Sequence, residues 1–138
     1  MKAVLENDYC YFYLHDGIIY EIFKSEVVIM DLKMSKIVVQ DRLKVSDGNI
    51  RPLYVDATGI KKFNPDALRY MGKGDAMLHL SAIGLLAKTY LHSMAGNMYM
   101  KVFKPNVPTK MFTTQSAAVE WLKPVSYTHL TLPTTSRV

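Results

Sequence analysis

The residues able to do chemistry are few and scattered. His15, His79 and His92 stand far apart, and none lies three or four positions from another histidine or from Cys10. That spacing is what lets one helix face offer two metal ligands, so neither a metal site nor a cofactor is expected. Cys10 occupies a β-prone run with no cation cluster or helix start beside it, which describes a packed thiol, not a nucleophile. Asp56 closes the apolar segment Leu53-Tyr54-Val55, at the kind of strand end where α/β proteins place chemistry. It has no recognisable base, second carboxylate or Gly-rich phosphate loop near it. Gly72-Lys73-Gly74 follows a helical segment instead of joining a strand to a helix, so its glycines read as helix termination. No catalytic residue is assigned, and the chain is not expected to be an enzyme.

The apolar patterns are more informative. Tyr9, Tyr11 and Tyr13 alternate with Cys10, Phe12 and Leu14, so both faces of that strand are apolar or amphipathic. One face must cover the core, and the other fits a protein partner or a second copy of the chain. Base stacking fits less well, because Asp8, Asp16 and Glu21 surround these tyrosines and no basic frame does. Met94, Met98 and Met100, with Leu91, Tyr99, Val102 and Phe103, make a methionine-rich helical stretch. It suits core packing, or a pliable wall for an apolar ligand at Leu91, Met94 and Met98.

The elements that must position these residues follow from turn and cap signals. Tyr9–Leu14 and Ile18–Phe23 read as antiparallel strands joined by Asp16-Gly17, the dipeptide of a tight hairpin. Asp31 caps a helix to about Val45 that turns Leu32, Ser35, Val38, Val39 and Leu43 inward, with Lys33, Lys36, Gln40 and Lys44 outward. Leu53–Asp56 reads as a buried strand. Asn64, Pro65 and Asp66 start a short helix as cap, first-turn proline and first-turn acid. Ala76–Ile83 suits another strand, with Met77–Leu80 pairing to Leu53–Asp56. His79 alternates there with Leu78 and Leu80 as a structural residue. A long helix from Leu85 to about Phe103, a strand Lys110–Thr113 and a helix capped by Thr114 complete the chain. Alternating helices and strands with short connections predict an α/β layer of parallel neighbours.

Of 138 residues, 49% are hydrophobic and 21% charged, a globular composition. One cysteine excludes an internal disulfide. Lys and Arg exceed Asp and Glu by 17 to 12, for a net charge of +5, too modest to mark a nucleic-acid binder. Acids stand where a signal peptide would be apolar, and no run of about 18 apolar residues exists to span a membrane. The cytoplasm is the expected compartment, with Cys10 free. Residues 125–138 differ from the rest: they contain no acid and are rich in Thr and Ser. Val125 to Thr134 translates the transposase-type adapter GTC TCT TAT ACA CAT CTG ACG CTG CCG ACG codon by codon. The expectation is therefore one domain over residues 1–124, followed by a non-native, adapter-derived tail over 125–138.

The segment Tyr54-Val-Asp-Ala-Thr-Gly59 through Asn64-Pro-Asp66 resembles the core of STAS domains, the anti-sigma-factor-antagonist fold. Gly96-Asn97, Lys104-Pro-Asn-Val-Pro-Thr-Lys-Met-Phe-Thr113 and Ala118-Val-Glu-Trp-Leu122 are similar to a bacterial group of small STAS/SEC14-like proteins. The resemblance runs from about Tyr9 to Lys123. It implies a single α/β domain with an N-terminal β-hairpin, a mixed sheet of four or five strands and about four helices. It also implies a non-enzymatic regulatory module that binds a protein through Thr58, Gly59, Asn64, Pro65 and Asp66. Phospho-switching members of that fold carry a Ser or Thr at the start of the helix after the central strand. Here Asn64 stands about there and no hydroxyl lies between Lys61 and Tyr70, so the usual switch is not expected. The alternative expectation is a carrier of a small apolar or lipid-like ligand, held between the sheet and the methionine-rich helix.

Overall fold

The computed structural model describes residues 2–123. A two-residue edge strand, β1 (Leu5–Glu6), leads into the hairpin of β2 (Cys10–His15) and β3 (Ile18–Phe23). Asp16 and Gly17 turn that hairpin with φ angles of 53° and 78°, whose twist matches that of the strands they join. Then follow β4 (Ile29–Met30), α1 (Leu32–Ser46), β5 (Arg51–Asp56), β6 (Lys62–Phe63) and α2 (Pro65–Met71). A tight 3₁₀ turn (Gly74–Met77) precedes β7 (Leu80–Leu86), and α3 (Tyr90–Met98) widens into a π-helical turn (Tyr99–Phe103). The last elements are β8 (Thr109–Phe112) and α4, residues 115–123.

The main sheet runs β1-β2-β3-β5-β7-β8. Its first two pairings are antiparallel and the other three parallel. Each crossover adds its strand beside the last one in the same direction. Such one-way winding, with crossovers of one hand, leaves the crossover helices on a common face. Met34 and Val38 of α1, Ala67 and Leu68 of α2 and Tyr99 after α3 accordingly share one core with Phe12, Ile19, Phe23, Leu53 and Ile83. The opposite face is covered by α4, where Ala118 and Leu122 pack on Ile18, Tyr20, Tyr54, Ala82 and Leu86. Tyr20 and Tyr54 meet edge to face, their centroids 5.7 Å apart. β4 and β6 form a separate parallel ribbon beyond the carboxyl ends of β3 and β5.

The α/β class, the mixed sheet, the hairpin and four helices agree with expectation, but the sheet has six strands instead of four or five. The additional edge strand β1 spans two residues, too few for any period-2 signal to register. A larger correction concerns 76–83. Residues 74–77 form the 3₁₀ turn, and His79 adopts φ of 61°. Only at Leu80 does the strand begin. Leu53, Tyr54 and Val55 therefore pair with Ile83, Gly84 and Leu85, not with Met77–Leu80. The long helix is also displaced: Leu85 and Leu86 belong to β7, and Thr89 caps α3 by accepting from the His92 amide. Leu85-Leu86-Ala87 would sit equally well in a buried strand or a buried helix, and only Lys88-Thr89 after them marks the boundary. Residues 124–138, including the adapter-like tail, lie outside the described residues.

Leu122 is fully buried against the second face. Replacing it with Ala should cost about 2–5 kcal/mol, the range for truncating a core leucine. Urea unfolding of L122A checks this; a loss below about 1 kcal/mol would mean that α4 does not seal that face.

Candidate functional site

The parallel strands end together at one rim. There Asp56 accepts hydrogen bonds from both the backbone N–H and the hydroxyl of Thr58. Gly59 follows, and a Cβ on it would stand 2.9 Å from the Ser25 carbonyl oxygen, so the two loops touch through backbone where a side chain has no room. Asn64 precedes α2 in extended conformation without making a side-chain cap, Pro65 opens the helix, and Asp66 accepts from the Ala67 amide. Thr58, Pro65 and Asp66 are exposed, and Gly59 and Asn64 half-buried. The expected partner-binding residues thus lie along one rim of well-determined turns. His92 ties this rim to α3. Its Nε2 reaches the Ala57 carbonyl oxygen at 2.9 Å, and its Nδ1 meets the Thr89 hydroxyl. A carbonyl only accepts, so Nε2 carries the proton and neither ring nitrogen is left for a metal. Among the described residues, no three His, Cys, Asp or Glu side chains converge as a metal site would need.

A second feature lies inside. Between the sheet and α1–α3 is a cavity of about 90 Å³, walled mainly by apolar groups such as Leu53, Leu68, Met77, Ile83 and Ala95. Glu21, Arg42, His92 and Tyr99 bring polar atoms to it. Arg42, 1% exposed, donates to the carbonyl oxygens of Leu78 (3.0 Å), Asp75 (3.3 Å) and Ala76 (3.1 Å). Tyr99 donates its hydroxyl to the Met71 carbonyl at 2.8 Å. Glu21 is 1% exposed, and its Oε2 has no hydrogen-bond partner among the described residues. Burial pushes this carboxyl from 4.5 up to about 7, against a smaller opposing pull from the Arg42 guanidinium. Burial likewise raises the Tyr99 hydroxyl and the Cys10 thiol, with the Glu21 charge adding to both. The same burial lowers Arg42, which Glu21 partly restores. Cys10 is thereby held as a protonated, packed thiol.

Sequence reasoning passed over Glu21 and Arg42, although each left a trace. Glu21 shares its strand face with Ile19 and Phe23, and Arg42 follows Val38 by four positions on the buried stripe of α1. A charge on an apolar stripe was the available signal. Leu32 and Leu43 are only half-buried, because Met34, Arg42 and Ser46 take inward positions instead.

The candidate apolar-ligand residues do not line the cavity. Helix α3 turns His92, Ala95, Gly96 and Tyr99 toward it. Leu91, Met94 and Met98 lie on the outer side with relative exposures of 37%, 50% and 40%, beside Tyr90 at 81% and Val102 at 64%. Between Asp75 and Glu120 the chain holds no acidic residue, while Lys88, Lys101, Lys104 and Lys110 are exposed. The outer face of α3 is therefore an exposed apolar stripe, with Lys88, Lys101 and Lys104 near it in sequence.

A family described as a domain of unknown function, DUF7793, matches residues 12–126, and the chain belongs to that family. No curated protein and no solved structure matches it.

Glu21 makes stability pH-dependent with a defined sign. The unfolded chain releases this proton near 4.5 and the folded chain near 7, so the folded form holds more protons between those values. Its contribution is complete below about 4.5 and is lost as pH rises through 7, in total roughly 3 kcal/mol. Urea unfolding at pH 5 and pH 8 should show wild type losing stability across that interval and Glu21→Gln losing less. Parallel pH profiles for the two proteins would refute the assignment.

Proposed function

We propose that this member of the DUF7793 family is a cytoplasmic, STAS-like binding module that performs no catalysis and acts by docking an acidic, amphipathic segment of another protein. The observation that carries the reading is the outer face of α3. Tyr90, Leu91, Met94, Met98 and Val102 expose large apolar side chains in one stripe, and contiguous exposed apolar surface marks interaction sites. Methionine adapts its shape to a partner at little cost. Lys88, Lys101 and Lys104 near the stripe, with Lys61 and Lys62 exposed on the adjoining rim against the single exposed carboxylate of Asp66, favour a negatively charged partner. They also disfavour pairing of two copies through this face, since like charges would be brought together.

The rim from Thr58 to Asp66 adjoins the stripe through the His92–Ala57 hydrogen bond, and we include it in the docking surface. Its turns are fixed by local hydrogen bonds and backbone contact, so docking there carries little ordering cost. The STAS-like assignment is supported by the antiparallel hairpin followed by parallel strands and crossover helices. Asp56, the residue nearest to a catalytic position, spends its carboxylate on Thr58.

Photo-cross-linking in cells tests this reading. A cross-linking amino acid at position 98 should trap one discrete protein adduct, and the same group at exposed Glu120 on the opposite face should not. Met94→Glu or Val102→Glu should weaken the adduct about tenfold or more. Stability should shift by no more than about 0.5 kcal/mol, because both sites are solvent-facing. Equal trapping from both faces would overturn the proposal. So would no adduct together with retention of the purified protein on phosphatidylserine vesicles, which would make the stripe a membrane contact.

A further inference from the structure

We propose that the interior cavity is a binding site for a small neutral molecule with one hydrogen-bond donor on an apolar body, anchored by Glu21. The inference rests on a census of the polar groups around the space. Arg42 spends its guanidinium on three backbone carbonyls and has no acceptor to offer. Tyr99 has given its proton to Met71, and both nitrogens of His92 are engaged. Glu21 alone brings to the cavity a fully buried oxygen with no partner. Buried polar atoms left unpaired are rare in folded proteins, and one facing an apolar cavity defines what would complement it. Leu53, Leu68, Met77, Ile83 and Ala95 offer dispersion contacts to a hydrocarbon body.

Charge and size narrow the class. An ammonium would bring a second cation into a low-dielectric space that already holds Arg42, so the matching donor is neutral, a hydroxyl in the simplest case. A volume of about 90 Å³ lies well below the roughly 300–1,000 Å³ of sites for drug-sized ligands. It is also smaller than the apolar cavity of roughly 150 Å³ that accepts a benzene ring. The volume suits a molecule of a few heavy atoms. This site is therefore distinct from the lipid-like carrier suggested by the methionine stripe, which faces solvent. It is also independent of the docking surface on α3.

Two isomers separate a designed donor site from a merely hydrated void. The described fold carries Leu53, Leu80 and Ile83 methyls on the cavity wall, and methyl NMR of the full chain reads their shifts. Titration with 1-butanol at pH 8, where the Glu21 carboxyl is ionised and only accepts, should move them saturably. Methyl propyl ether has the same atoms but no donor, and should bind at least about tenfold more weakly. Glu21→Gln keeps an acceptor oxygen in place and should retain the preference; Glu21→Leu should bind both isomers alike. The wild-type comparison stands even if a variant fails to fold. Equal affinity for the two isomers, or shifts that never saturate, would overturn the proposal and leave ordered water as the occupant.

Discussion

A single guanidinium, placed where water does not reach, governs much of this molecule. Burying a charge is costly unless hydrogen bonds replace its hydration. Arg42 meets that requirement with three carbonyl oxygens drawn from one short stretch, Asp75, Ala76 and Leu78. Those carbonyls converge because residues 74–77 tighten into a 3₁₀ turn and His79 then enters the left-handed region. The turn in turn sets where β7 starts, and hence its register against β5. One side chain of α1 thus ties the first crossover helix to the connection between the second helix and its strand. The arrangement also lets the Arg42 charge pull on the Glu21 carboxyl of β3, against the effect of its burial.

The two sides of α3 divide the functional surface of the domain. Its inner side is shaped by small or polar residues, Ala95, Gly96, His92 and Tyr99, and leaves room above the sheet. Its outer side carries the large apolar residues that a buried helix would normally turn inward. This inversion of size is what creates both features at once: a cavity inside and an apolar stripe outside. A packed interior would have placed Leu91, Met94 and Met98 against Leu53 and Ile83, where close packing favours them. The widened π-helical turn after Met98 belongs to the same pattern, since such turns occur frequently at functional sites.

Local chemistry was legible residue by residue. Asp31 caps α1 through the Met34 amide, Asp16-Gly17 turns the hairpin and Thr114 accepts from the Ala117 amide, each as its residue type implies. Lys33, Lys36, Gln40 and Lys44 face water. Boundaries failed where a long apolar run crossed from β7 into α3, because strand and helix both bury such residues. Lys88 and Thr89 marked that boundary, an exposed charge followed by a cap. The direction faced by the methionines was also missed, since a helix apolar nearly all round does not say which side its neighbours will cover.

Caps, turns and periodicity act within about four residues, so the chain alone settled the element types, the hairpin and the α/β alternation. The electrostatic pull of Arg42 on Glu21, and the hydrogen bonds of Arg42 to the turn at 75–78, join positions tens of residues apart. Such encounters exist only once strand order brings β3, α1 and the approach to β7 to the same side of the sheet. The cavity and the exposed side of α3 are consequences of that assembly. No local propensity encodes them, because what decides whether a side chain is buried is the neighbour that arrives from elsewhere in the chain.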